Sequence, residues 1–170
     1  DVTLRGDNQI AQISRLISTG TIDLRNVQSL LVAGPVESAA VPTVIMDIEG
    51  DLTIADSVSS VGEVRLRASG NLSLTSTGSV TAGSGAPFVT LQAAVDFSTG
   101  SVDPNAAGSM SLAGTVSAVE GSVVLGAGRG GIVQTGGGIT TGQLEVFSGG
   151  EALLTGPANA IDTLAELLAT

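Results

Sequence analysis

The sequence predicts an all-β protein, a right-handed parallel β-helix (β-solenoid) with about 20 residues per coil. Short triplets with apolar residues two apart recur along the chain, which is the pattern of strands with one buried and one wet face. Gly, Ser, Asn and Asp separate the triplets, as short turns require. The triplets recur at one coil length, which favours stacked coils over a sandwich or a barrel.

The triplets form two interleaved series. Two early triplets, Val2-Thr3-Leu4 and Ile22-Asp23-Leu24, are 20 residues apart. The main series continues with Leu52-Thr53-Ile54, Leu72-Ser73-Leu74, Val89-Thr90-Leu91, Met110-Ser111-Leu112 and Ala152-Leu153-Leu154, with Val133 as a further member. The second series consists of Val64-Arg65-Leu66, Val80-Thr81-Ala82, Val95-Asp96-Phe97, Val123-Val124-Leu125 and Leu144-Glu145-Val146. The register of residues 30–50 stays open.

We expect residues 1–170 to form a single solenoid segment of about eight coils, obtained by dividing 170 residues by the coil length. The core is expected to be aliphatic, because the chain has only three Phe and no Trp or Tyr. Six leucines are predicted to point inward: Leu52, Leu72, Leu74, Leu91, Leu112 and Leu154.

The two ends of the chain resemble each other. "LRGDNQIAQISRLIST" near the start matches "LTGPANAIDTLAELLAT" at the end, which pairs Leu4 with Leu154 and Thr19 with Thr170. Chance similarity in a biased sequence is one explanation. The other is a superrepeat of about 151 residues followed by the start of the next. Residues 157–170 also fit a short helix, although strand or turn is favoured because the matching N-terminal copy is rich in β-branched residues.

Charge and composition exclude several classes of partner. The net charge of −10, with no Lys or His, argues against binding to nucleic acid or an anionic membrane. The most apolar stretch, residues 30–46, is interrupted by Gly34-Pro35, Glu37 and Pro42, so no membrane insertion is predicted. Without Cys there is no thiolate metal site, and no cofactor is predicted. No signal peptide is visible and the chain starts in mid-pattern, which suggests an excised or processed piece.

Weak candidate sites remain. Asp47, Glu49 and Asp51 alternate, with Asp56 following, and outward carboxylates could collect Ca²⁺, although a solvated face is the simpler interpretation. The triplet Arg5, Gly6 and Asp7 is the tripeptide that integrins recognise, although Gly6 also fits a turn.

Further segments have structural interpretations that we favour over functional ones. Residues 126–138 are dense in glycine but lack the motif of a phosphate loop, so tight turns with closely approaching backbones are expected. Arg65 and Arg67 share a strand face without an obvious acidic cluster beside them in sequence. Thr75-Ser76-Thr77 and Thr140-Thr141 are scattered, so no ice-binding threonine array is predicted.

The stretches "GDLTI", "GNLSLTSTGSVTAGSG", "GSMSLAG" and "LLTGPANAIDTLAELLA" resemble the repeat region of filamentous haemagglutinin-like large exoproteins. The resemblance implies a parallel β-helix exported to the bacterial surface, usually by two-partner secretion, and used in adhesion or as a stalk. The amino-terminal secretion domain of such proteins is not recognisable here.

We therefore expect a non-catalytic structural or adhesive segment of a bacterial surface exoprotein, located outside the cell. The alternative is a β-helix protein that binds or degrades polysaccharide. Neither end looks capped, so head-to-tail contact with neighbouring repeats or subunits is expected. A host or neighbouring-cell receptor or a glycan is a further possible partner.

Overall fold

The structure is a computed structural model that describes residues 1–40, 43–83 and 87–169. Its parallel strands stack as a β-solenoid of about 7 turns, with roughly 22 residues per turn. No helix occurs in the described ranges. The predicted all-β solenoid is therefore confirmed, with slightly fewer and longer coils than expected.

Each coil contributes one strand to each of three faces. Face A comprises β1 (Val2–Asn8), β4 (Ile22–Asn26), β7 (Thr43–Ile48), β10 (Glu63–Ala68), β13 (Phe88–Gln92) and the second halves of β17 (Thr115–Ala127), β19 (Gly138–Ser148) and β21 (Ala160–Ala169). Face B comprises β2 (Gln12–Ile13), β5 (Leu30–Val32), β8 (Leu52–Ile54), β11 (Leu72–Leu74), β16 (Met110–Leu112), β18 (Ile132–Gln134) and β20 (Ala152–Leu154). Face C comprises β3 (Leu16–Ser18), β6 (Val36–Ser38), β9 (Ser57–Ser60), β12 (Ser79–Ala82) and the first halves of β17, β19 and β21.

The core consists of aliphatic columns that run along the stacking axis. Parallel pairing brings equivalent positions of successive coils together, so Met46, Leu66 and Leu91 lie in one column of face A. Neighbouring strands are about 4.8 Å apart, which places these side chains in contact. Five of the six predicted leucines are at most 1% exposed, namely Leu52, Leu72, Leu74, Leu91 and Leu112. Leu154, in the last coil, is half-buried and packs against the core.

All three phenylalanines lie outside this core. Phe88 is 40% exposed, and Phe97 and Phe147 are half-buried on the outer surface. An interior built from two or three small side chains per face leaves no space for an aromatic ring. Phe88 and Phe147 are therefore available for contacts outside the solenoid, whereas Phe97 stacks on Arg67.

Three assignments in the triplet series are wrong. Val89–Leu91 pairs with Val64–Leu66 on face A, whereas the Leu72 triplet lies on face B, so the main series mixed two faces. The second series mixed faces as well, because Val80–Ala82 lies on face C. Val95–Asp96 does not belong to a coil at all, because it forms an antiparallel hairpin. These errors come from equating spacing along the chain with position around the coil.

The segments whose conformation was open are now placed. Residues 30–48 contain β5, β6 and β7, one strand on each face. Residues 160–169 form β21, which confirms the preference for a strand over a helix. Within the superrepeat match, Leu4 lies on face A and Leu154 on face B. Thr170, the partner of Thr19, lies outside the described residues, and the superrepeat stays a prediction.

Two amide side chains are buried among the aliphatic ones. Asn26 is fully buried and closes the corner after β4: the Ile10 amide donates to its Oδ1 (2.7 Å), and its Nδ2 donates to the carbonyls of Ile10 (2.9 Å) and Gln28 (2.7 Å). Gln134 exchanges two hydrogen bonds with Asn159, of 2.8 and 2.9 Å. Pairing of this kind satisfies polar groups that burial would otherwise leave costly.

One coil carries an insertion. The residues paired on face A are 18 to 25 positions apart elsewhere, but Val89 pairs with Val123, which is 34 positions on. The additional residues contain the hairpin of β14 (Val95–Asp96) and β15 (Ser101–Val102), and residues 94–108 are called the insertion below. A search of the described residues for helices that could span a membrane finds none.

Candidate functional site

Face A carries a ladder of ion pairs on its outer side. The parallel register places Arg67 opposite Asp47, and the two form a bidentate pair, with Nε–Oδ1 and Nη2–Oδ2 distances of 2.7 and 2.9 Å. Arg25 donates to Glu49 at 2.6 Å, and this hydrogen bond raises the pKa of the Arg25 guanidinium. Neighbouring coils therefore neutralise each other's charges, and bidentate pairing makes the Arg67 pair the most directional of them.

The predicted acidic trio is divided among different partners. Asp47 and Glu49 are engaged by arginines, whereas Asp51 lies at the corner before β8 and accepts hydrogen bonds from Asn71 N (2.7 Å) and Nδ2 (3.1 Å). No three His, Cys, Asp or Glu side chains within the described ranges are placed to hold a metal ion. Asp47 and Glu49 are therefore partners within the ladder, and Asp51 fixes a corner of the coil.

The Arg5-Gly6-Asp7 triplet lies on β1 and is exposed, and it forms a bulge where the register with β4 shifts between Leu4 and Asn8. Arg5 forms an ion pair with Asp23. Asn8 Nδ2 donates to the carbonyls of Leu4, Gly6 and Arg25, at 2.9, 3.1 and 3.0 Å, and so fixes the backbone of the triplet. The triplet is therefore a bulge within a strand, with its two ends fixed by the pairing of Leu4 and Asn8 with β4.

Arg67 also anchors the insertion. Its guanidinium carbon lies 5.4 Å from the centroid of the Phe97 ring, and its Nη1 donates to the carbonyl of Gly100 at 3.4 Å. The Nε of neighbouring Arg65 is buried and has no hydrogen-bond partner in the described chain. Asp47, which sequence reasoning did not connect with Arg67, is 20 residues away, and that spacing equals the expected coil length.

The glycine-dense segment makes room for the insertion. A Cβ on Gly128 would meet the carbonyl of Ala106, and one on Gly126 would lie 2.9 Å from the side chain of Val102. Gly131 has a φ of 80°, which favours glycine. The expectation of closely approaching backbones is confirmed, and the partner in the approach is the insertion.

The insertion turns the flat outer side of face A into a groove of about 460 Å³. Val102 and Pro104 of the insertion line one side of the groove, and Phe147 and Leu168 of the last two layers of face A line another. Gln92 also lines the groove, and no ionisable side chain is among its described lining residues. Sequence reasoning missed this site because Val95–Phe97 was assigned to a coil.

Face C carries an array of hydroxyl groups that was also missed. The residues of the array occur on four consecutive coils, in two columns of parallel register. They are Ser57, Ser79 and Thr115 in one column and Ser59, Thr81, Ser117 and Thr140 in the other. Within the part of the chain that the structure describes, these hydroxyls make no hydrogen bond, so they are available to water or to external hydroxyls. The signal was present in the sequence as Ser-Val-Ser, Ser-Val-Thr and Thr-Val-Ser, but only Thr-x-Thr was sought.

No protein-family model, no curated protein and no solved structure matches this chain. The resemblance to filamentous haemagglutinin-like exoproteins therefore stays an expectation from the sequence.

Proposed function

We propose that this segment is a non-catalytic structural or adhesive part of a bacterial surface exoprotein, built as a rod and located outside the cell. The observation that carries the proposal is the aliphatic column that continues from the first coil to the last on face A, from Val2 to Leu164. Such a column extends with every added coil, so the fold grows in length without a new core. The resemblance of the repeats to those of surface exoproteins supports the location.

Absence of catalysis is part of the same proposal. Asp47, Glu49 and Arg67, the residues from which a polysaccharide-cleaving site would be drawn, are engaged in ion pairs between coils. The measurement is release of reducing ends from neutral and acidic polysaccharides by the purified chain. Cleavage of any of them would contradict the proposal.

The ends of the solenoid support head-to-tail continuation. Leu164 and Leu167 of β21 are 55% and 52% exposed, and Leu4 of β1 is 38% exposed, although their columns are buried in the central coils. These strands also present unpaired backbone groups, which favour pairing with a further strand. We propose that neighbouring repeats or subunits cover both ends.

Two copies of the described segment placed end to end do not stack in phase. Among the described strands, face A has eight layers, whereas faces B and C have seven each. A second copy that placed its β1 on β21 would leave faces B and C one strand short. A coil that continued from Ala169 directly to a face B strand would leave no gap.

Two tandem fusions test the continuation. In the first, Ala169 is joined to Gln9 of a second copy, so that β2 of that copy follows on face B; in the second, Ala169 is joined to Asp1. We expect the first fusion to unfold in a single transition at a higher urea midpoint than the single chain, because Ile13 then covers Leu154 and Ile22 covers Leu164. The second fusion, which is out of phase, should unfold as two independent units. Identical unfolding of the two fusions would contradict the phase argument.

Surface location has a separate test. Antibodies raised against residues 1–170 should label intact cells that produce the protein. Labelling that appears only after the cells are permeabilised would contradict an extracellular location and would leave the fusion experiment unaffected.

A further inference from the structure

The groove beside the insertion differs from the rest of the rod surface. It is built by a single non-repeating element, because residues 94–108 lengthen only one coil. Its volume of about 460 Å³ lies within the range of small-molecule sites, which is roughly 300–1,000 Å³. Loops mounted on a rigid scaffold are the usual place for recognition.

The charge of the groove restricts what it accepts. The ion pairs of face A and the groove lie on opposite sides of the β14–β15 hairpin. On the side of the ion pairs, Phe97 stacks on Arg67. No Asp, Glu or Arg side chain is among the described residues that line the groove, in a chain with a net charge of −10. An ion placed in the groove would be desolvated without an opposite charge, which is costly. The occupant is therefore neutral.

The polar groups of the groove indicate an occupant that is not a hydrocarbon. The side-chain amide of Gln92 and the hydroxyl of Ser101 have no hydrogen-bond partner within the described ranges, and both face this space. The ring of Phe147 and the side chain of Val102 supply apolar surface. A purely apolar ligand would bury the amide and the hydroxyl unpaired, which would cost free energy.

We propose that this groove binds a neutral sugar unit of a glycan. A pyranose has an apolar face of C–H groups that suits the Phe147 ring and a rim of hydroxyls that suits Gln92 and Ser101. This proposal rests on the adhesive part of the proposed function and adds the chemical class of the ligand. The rigid insertion, fixed by its contacts with Arg67 and Gly128, keeps the groove formed before the sugar arrives.

Binding is tested on the purified chain with cellobiose, maltose, lactose and chitobiose, each titrated separately and followed by amide NMR shifts. At least one of them should shift the amides of Ser101, Gly126 and Phe147, with saturation in the millimolar range. The variant Phe147→Ala should weaken binding about tenfold, the equivalent of roughly 1.4 kcal/mol. The variant Gln92→Ala should weaken it by a smaller factor.

Phe88→Ala is the matched control, because Phe88 is also an exposed aromatic residue of face A but lies outside the groove. It should leave binding unchanged, and all variants should retain the circular dichroism spectrum of the parent chain. A sulfated heparin oligosaccharide should not bind at this site. The proposal is overturned if none of the four sugars shifts these amides, or if the neutral dye Nile red occupies the groove while the sugars do not. These outcomes do not depend on the fusion or cell-labelling experiments.

Discussion

Replacing Leu66 with alanine should destabilise the solenoid far more than the same change at Leu4, which lies at the end of the same column. Leu66 is fully buried, and its neighbours in the column are Met46 and Leu91. The substitution removes three carbons, worth about 2.4 kcal/mol at ~0.8 kcal/mol per carbon. Because coils on both sides hold the cavity open, the total loss should reach about 3–4 kcal/mol.

Leu4 provides the matched control. It is 38% exposed and has a coil on one side only, so its truncation should cost about 1 kcal/mol. The assay is urea unfolding followed by circular dichroism, since the chain has no Trp or Tyr to report by fluorescence. The Leu66→Ala midpoint should fall by about 1–2 M with an unchanged slope. Equal losses at the two positions would refute the argument that burial between two coils sets the stability.

Three further predictions concern the insertion, the buried amide and one carboxyl group. Gly128→Ala should lower the free energy of unfolding by about 1–3 kcal/mol, because the new Cβ meets the insertion; Gly6→Ala, where nothing lies within 4 Å of the added Cβ, should show no comparable loss in the same melt. Asn26→Ala should cost about 1–3 kcal/mol by leaving buried backbone groups unpaired, and an unchanged urea midpoint would contradict that role. The Ser98 hydroxyl and amide donate to Asp96 and lower its pKa, so an NMR titration should find the pKa of Asp96 below its usual value and Ser98→Ala should raise it. Because the folded pKa is the lower one, this contribution is present above the ordinary Asp pKa and is lost as the pH falls through the folded pKa.

The alternation within each strand was predictable because it follows from local sequence. The inward positions of β8 and β11 could be assigned from their triplets alone, since every second residue of a strand lies on the same side. The face to which a triplet belongs was less accessible. It depends on the number of residues at each corner, and those numbers vary from coil to coil.

The groove, and the continuation of the hydroxyl array past the insertion, could not be predicted for a related reason. Thr81 pairs with Ser117, 36 residues further on, because the insertion lies between them. One irregular coil thus breaks the period on which sequence comparison depends. The ion pair of Asp47 with Arg67 was only partly accessible, because the two residues are one coil spacing of 20 residues apart but Asp47 lies in the stretch 30–50, whose register was open.

The direction of the hydrogen bonds has a mechanical consequence. The strands lie across the stacking axis, so the backbone hydrogen bonds between coils point along it. Tension applied between the two ends should therefore peel the coils one at a time. Each released coil of roughly 22 residues would extend to about 70–80 Å from a height of about 4.8 Å. The insertion, which touches Arg67 in one coil and Gly128 and Gly149 in later ones, ties several coils together. Peeling should pause where it meets this tie, so a stretched molecule would lengthen in small steps on either side of one stronger barrier.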